Sequence, residues 1–272
     1  GPVVLELDNF SASAGQSDLT ALHAAPDTLI TGDMHAERAR FGNIHVRNLR
    51  SALRIAPEQV TLKNFRAKTY RGHASGDFTL NLAGINPRFH SDLDVTGIGV
   101  TDLLGEFDSG PPKMTGMMQA KLTVGGQIAH TATPLDDMAG AGQFNVRKGQ
   151  LPSLNQNKSM AEMKRFRSTS AAAKPASAFS TFSGDIELKN RRIYNRKIIV
   201  DFYGVSVQGG GSLDYVSGAL NYRGAATIEK KQGFFTSTFA RLFKGAEEKQ
   251  GLLTFPIQLE GTLAHPQFTV LQ

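Results

Sequence analysis

From Ser177 to Glu229 apolar and polar residues alternate with a period of two, which restricts this stretch to extended strands with one buried face. Ile186 and Leu188 alternate with Asp185, Glu187 and Lys189. After the polar run from Asn190 to Lys197 come Ile198, Val200 and Phe202, then Val205 and Val207, then Leu213 and Tyr215. The last run is Leu220, Tyr222, Gly224, Ala226 and Ile228. Gly204, the triplet Gly209, Gly210 and Gly211, and the Ser217-Gly218 pair punctuate these runs and predict reversals or bends.

The same cadence extends upstream. Val3, Leu5 and Leu7 alternate, and with a turn around Ser13 to Gly15 and a second strand over 18–24 they predict a hairpin or a sheet edge. Ile44, Val46, Leu49, Leu53, Ile55, Val60, Leu62, Phe78, Leu80 and Leu82 follow, punctuated at Pro57-Glu58 and over 72–76. One strand roughly every 8 to 12 residues signals an antiparallel meander. Phe89, Leu93 and Val95 share a face, Thr101 is placed to cap one helical turn, and Pro111-Pro112 breaks it. Met118, Ala120, Leu122 and Val124 form a further strand. Phe outnumbers Tyr 17 to 5, Trp is absent and Gly reaches 28, which suits many turns around an aliphatic and Phe-lined interior.

Two short amphipathic helices interrupt the strands. Ser159 and Glu162 form a capping box, with Met160, Met163 and Phe166 along one face, predicting a helix near 159–168. Near 234–245, Phe235, Phe239, Leu242 and Phe243 fall at i, i+4, i+7 and i+8, opposite Arg241 and Lys244. That face packs on the sheet as core, caps an apolar groove, or touches a membrane.

The order of motifs GDIELKNRRIYNRKIIVDFYGVSVQGGGSLDYVSGALNYRG, then LTFPIQLEGTLAHPQF, resembles the C-terminal region of the AsmA family of bacterial envelope proteins. GAGQFNVRKGQLPSL at 140–154 looks like the entry to the same module, and YRGHASGDFTLNL and LDVTGIGVTDLL fit the family's looser repeats. The likeness implies a β-repeat region over 3–134 continuous with an AsmA-like module over 135–272. It also implies relation to TamB-type repeating β-groove proteins, a periplasmic location and an N-terminal inner-membrane helix. Gly1-Pro2 reads as a tag scar.

Little else in the sequence carries chemistry. Cysteine is absent, and the seven histidines show no metal-ligand spacing to another His, Asp or Glu. Neither a nucleophile elbow nor a phosphate loop occurs: GAGQFN at 140 leads into a strand. Asp136-Asp137 and Glu247-Glu248 are the only adjacent acid pairs singled out as acid/base candidates. No catalytic residue, metal or cofactor is expected, and the chain is read as a non-enzyme. The formal charge of +6 is spread over Arg38, Arg40, Arg47, Arg50, Arg54 and later cations, so the expected partner is not nucleic acid. The spread reads as solvated outer faces or as attraction to an anionic membrane surface. No apolar run reaches the roughly 20 residues that span a bilayer.

The fold expected is therefore mainly β, a long antiparallel meander forming a curved, half-open groove or a barrel-like sheet. Its inner, lipid-binding face is expected to include Phe78, Leu80, Leu82, Phe89, Leu93, Val95, Met118, Leu122, Phe144, Val146, Ile186, Leu188, Ile198, Val200 and Phe202. The AsmA resemblance implies a lipid-transfer module holding phospholipid or another acyl lipid. The alternative is an envelope-assembly scaffold with an ordinary packed core that acts through protein partners.

Overall fold

The computed structural model describes residues 5–8, 11–14, 30–41, 44–106, 110–128, 137–155, 157–164, 173–229, 247–249 and 251–271. The strands are β1 (Leu5–Asp8), β2 (Ser11–Ala14), β3 (Ile30–Phe41), β4 (Ile44–Ala56), β5 (Gln59–Thr69), β6 (Gly72–Asn81), β7 (Arg88–Gly99), β8 (Thr115–Gln127) and β9 (Ala139–Gln150). There follow β10 (Ala178–Lys189), β11 (Arg192–Asp201), β12 (Val205–Asp214), β13 (Ala219–Glu229), β14 (Glu247–Lys249), β15 (Leu252–Thr262) and β16 (Pro266–Val270). Two short helices, α1 (Val100–Gly105) and α2 (Lys158–Met163), complete the regular structure among the described residues. The protein is thus mainly β, an antiparallel meander whose described strands form an open sheet that does not close into a barrel. Two compact units divide the chain: Gly1–Ser109 with Met118–Gly142 and Leu188–Arg191, and Gly110–Met117 with Gln143–Glu187 and Arg192–Gln272.

Tight connections explain why neighbours in sequence pair. Tyr70-Arg71 and Asn190-Arg191 adopt positive φ at both central positions, the conformation whose twist matches a two-residue hairpin. Tyr203-Gly204 does the same, and the Asp201 carboxylate accepts from the Gly204 N–H at 2.9 Å. Several predicted breaks are not breaks. Gly209, Gly210 and Gly211 lie inside β12 and the glycines at 72 and 76 inside β6, where glycine reflects close strand approach rather than a reversal. The polar run 190–197 opens with the Asn190-Arg191 turn and continues as β11. β1 and β2 both pair with β3, so Ser13, expected in a turn, lies in a strand, while the second strand expected over 18–24 lies outside the described residues.

Within the strands, β-bulges shift the alternation by one residue. In β5, Leu62 pairs with Phe78 but Phe65 with Gly76, so one residue is extra, and Asn64 takes φ 51°. Asp77 on β6 holds this bulge: its Oδ1 accepts from the Asn64 N–H at 2.8 Å and its Oδ2 from Lys63 Nζ at 2.8 Å. In β11 the register shifts between Asn195 and Ile198. There Asp185 on β10 accepts from the Lys197 N–H at 2.8 Å and the Arg196 N–H at 3.2 Å. Both carboxylates occur in one local sequence, Gly76-Asp77-Phe78-Thr79-Leu80 and Gly184-Asp185-Ile186-Glu187-Leu188.

In the second unit α2 and the 3₁₀ turn Pro152–Leu154 pack against β16. Asn157 caps α2, its Oδ1 accepting from the Met160 N–H at 3.2 Å, while its Nδ2 donates to the Phe268 carbonyl at 3.1 Å. The cap is therefore Asn157 and not Ser159, because only Asn157 also ties the helix to the sheet. α2 ends at Met163 with Lys164 as its C-cap, and positions 165–168 of the expected helix lie outside the described residues. Thr101 lies within α1, whose N-cap is Gly99. The expected helix near 234–245 lies outside the described residues.

The Lys63 side chain and then the Asn64 N–H hold the Asp77 carboxyl below its ordinary 3.8. For Asp185 burial pushes upward, but the Lys197 and Arg196 N–H groups outweigh it and the net shift is downward. A carboxyl with a lowered folded pKa contributes stability that is fully present above the unfolded value and is lost as pH falls through the folded one. The Asp77→Asn, Asp185→Asn double variant should therefore be less stable than wild type at neutral pH, by about 0.5 to 1.5 kcal/mol per site after solvent screening. Its melting temperature should fall less than that of wild type on acidification below about pH 4. Parallel curves for the two proteins, followed by circular dichroism, would refute the clamp.

Candidate functional site

The register of β11, β12, β13, β15 and β16 arranges the apolar face of the second unit in cross-strand rows. Val205, Ile228 and Leu253 form one row, and Val200, Val207, Ala226 and Phe255 the next. All seven are buried. The third row is Ile198, Gly209, Gly224, Ile257 and Val270, the fourth Asn195, Gly211, Tyr222, Leu259 and Phe268. The last begins Ile193, Leu213, Leu220, and these three are only half-buried. One continuous apolar face thus runs from a sealed end to a partly open one.

Glycine and one polar pair divide the two ends. Gly209 faces Gly224 across the strand pair, and a Cβ on Gly224 would collide with the Gln208 carbonyl and lie 2.8 Å from the Gly209 Cα. At Gly211 a Cβ would meet the Tyr222 ring at 2.8 Å, so the missing side chain lets Tyr222 lie across the strand. Its hydroxyl donates to Asn195 Oδ1 at 2.7 Å, and Asn195 Nδ2 donates to the Asp185 carbonyl. Burial pushes the Tyr222 phenol up to about 12, so it stays a neutral donor. Every polar atom of this bar is thereby satisfied on an otherwise apolar face.

Phenylalanines continue the sealed end. Phe144 and Phe182 meet edge to face at 5.1 Å, Phe182 and Phe179 at 5.9 Å, and Phe179 and Phe202 at 6.5 Å. A Cβ on Gly184 would lie 2.9 Å from Ile198 Cγ2 and 3.2 Å from Phe144 Cε1, which places Ile198 and Phe144 on either side of that glycine.

The first unit repeats the gradation. Ile55 pairs with Val60, Val60 with Leu80 and Leu80 with Phe89; Leu53 pairs with Leu62 and Leu62 with Phe78. Apart from the buried Phe89 these are half-buried, and Ile30, across from Ile55, is 48% exposed. Phe78 and Phe89 stack at 6.3 Å. Further along, Met34, Ala36, Ala39, Leu49, Phe65 and Ala67 form a buried cluster.

Of the residues expected on the inner face, Phe78, Leu80, Phe89, Leu93 and Val95 share one face of β6 and β7 by register. Leu82 lies beyond the end of β6 and is exposed. Met118, Leu122 and Leu188 are half-buried, and Leu122 lies over Gly142. In the second unit Val146, Val200 and Phe202 are buried, whereas Phe144, Ile186 and Ile198 are half-buried. Phe235, Phe239, Leu242 and Phe243 lie outside the described residues. Sequence reasoning missed Phe65, Phe179, Phe182, Phe255 and Asn195. An apolar spacing of three where two is expected, as from Leu62 to Phe65, was the available signal for the first.

Among the described residues no cluster of His, Asp and Glu is placed to hold a metal ion, and no helix is long and apolar enough to cross a membrane. Comparison with family models, curated proteins and solved structures gave no match.

The bar predicts its own variant. Tyr222→Phe leaves the buried Asn195 oxygen without its donor and should cost about 1 to 3 kcal/mol. Adding Asn195→Leu should recover part of that loss in a denaturant titration. A silent Tyr222→Phe would show that water replaces the hydroxyl.

Proposed function

We propose that this chain is a non-enzymatic lipid-binding module of the bacterial envelope, acting in the periplasm and holding acyl chains against the open ends of its apolar faces. The observation that carries this reading is the row Ile193, Leu213, Leu220, which continues the buried rows in register yet is itself only half-covered. Burying an acyl chain of about 16 carbons is worth on the order of 13 kcal/mol at about 0.8 per CH₂. A carrier needs an aliphatic surface of this kind. The AsmA resemblance supports the same class of ligand and the same compartment, with transfer between inner and outer membrane as the role.

In this reading the fifteen expected contacts divide. Phe89, Val146, Val200 and Phe202, each less than a tenth exposed, pack the interior, and lipid contact falls to half-buried residues such as Phe78, Leu80 and Ile198. The sealed rows also favour a second reading, an assembly scaffold whose faces are ordinary core and whose partners are envelope proteins.

Organic extraction of the purified full chain, followed by mass spectrometry, should yield phospholipid or another acyl lipid. Replacing Ile193 and Leu220 by Asp should abolish lipid recovery and uptake of a fluorescent fatty acid while leaving the circular dichroism spectrum of a folded sheet. Val200→Asp, in the sealed rows, should instead unfold the protein. Lipid-free protein that takes up no fatty acid would overturn the lipid reading in favour of the scaffold.

A further inference from the structure

The opposite face of the first unit carries a feature that the apolar face does not explain. Arg50 lies directly across from Arg66, and Arg47 directly across from Lys68, in the pairing of β4 with β5. All four are exposed, and among the described residues no carboxylate pairs with them. Like charges directly opposite each other destabilise a sheet. Five other cations do have a carboxylate partner: Lys63 with Asp77, Arg71 with Asp102, Lys121 with Asp94, Arg192 with Asp214 and Arg196 with Asp185. Arg38 on β3, also exposed, lies directly across from Arg47 on its other side. Arg50, Arg66 and Lys68, with Lys63, line a shallow concavity of about 1170 Å³.

We infer that this face is a docking surface for an anionic lipid bilayer, with the phosphate groups of the headgroups supplying the missing counter-charge. Strands about 4.8 Å apart, with same-face residues about 7 Å apart along each, spread the cations in two dimensions. A headgroup layer presents phosphates in two dimensions also, whereas a nucleic-acid strand presents them as a string. The concavity is lined by no Phe, Tyr or Trp ring to stack a base, its ring side chains being the His35 and His73 imidazoles across from Arg50 and Lys68. The surface lies on the face of the strands opposite Leu49, Phe65 and Ala67, so it is separate from any acyl-chain site on the apolar face.

The test uses the full chain and sedimentation with vesicles of phosphatidylcholine alone or phosphatidylcholine mixed with phosphatidylglycerol. Binding should be confined to the anionic vesicles and should vanish in about 1 M salt, where the screening length is about 3 Å. Arg50→Ser with Arg66→Ser should weaken it by about five-fold per cation, about 25-fold for the pair. That variant should melt no lower than wild type, since the change removes a repulsion. Arg71→Ser with Arg192→Ser removes equal charge from paired sites and should weaken binding far less. Equal loss in both double variants would reduce the effect to net charge and overturn the inference. So would equal binding to neutral vesicles, or displacement by a DNA oligonucleotide that binds more tightly at the same salt. Fatty-acid uptake should be unchanged in Arg50→Ser, Arg66→Ser, which separates failure here from failure of the acyl-chain reading.

Discussion

Two carboxylates, Asp77 and Asp185, secure two of the points at which strand alternation changes phase. A residue inserted on one strand turns every later side chain to the other face unless the sequence carries the same shift. In β5 the inward residues run Leu62, Phe65, Ala67, and in β11 Ile193, Asn195, Ile198, Val200, each with one spacing of three. The shift is thus written into the apolar pattern, and an aspartate on the neighbouring strand binds the N–H groups that the bulge removes from the ladder. Without those acceptors the bulge competes with a regular pairing that would place Phe65 or Ile198 in water.

This explains which parts of the fold were legible in the sequence. Strand identity and the outward and inward residues of β6, β7, β12 and β13 follow from simple period two, because no phase shift interrupts the residues concerned. β11 was harder: Ile193 and Asn195 sit in a run that reads as polar, since Arg191, Arg192, Arg196 and Lys197 surround them. Glycine misled for a related reason. Gly209 and Gly211 answer a neighbouring backbone and the Tyr222 ring, which are tertiary facts, whereas a turn is the local explanation that a sequence offers first. The capping box at Ser159 lost to Asn157 because a cap that also reaches the Phe268 carbonyl gains a second bond.

The apolar face itself was legible, but its division into sealed and open ends was not. Alternation says only which way a side chain points. Whether it ends covered depends on which distant segment lies over it, as Phe179 lies near Phe202, or as the 3₁₀ turn and α2 pack on β16. Val200 and Ile193 look alike in sequence and stand on the same face of the same strand, yet one is 5% exposed and the other half-buried.

That difference has an energetic meaning. Full burial of a Leu or Ile side chain is worth about 1.5 to 3 kcal/mol, so three half-covered residues in the row Ile193, Leu213, Leu220 forgo on the order of 2 to 4 kcal/mol together. Against a typical total stability of about 5 to 15 kcal/mol that is a substantial omission. The fold has the means to avoid it, since β12 and β13, which carry Leu213 and Leu220, bury Val205 and Ile228 four rows away. An open aliphatic row is stable in water only at this cost, and an apolar occupant recovers it. The same reasoning applies to the paired cations of β4 and β5, whose repulsion an anionic surface relieves. Both features lower the stability of the isolated chain, and the acyl lipid and anionic surface proposed above as partners would each recover part of that cost.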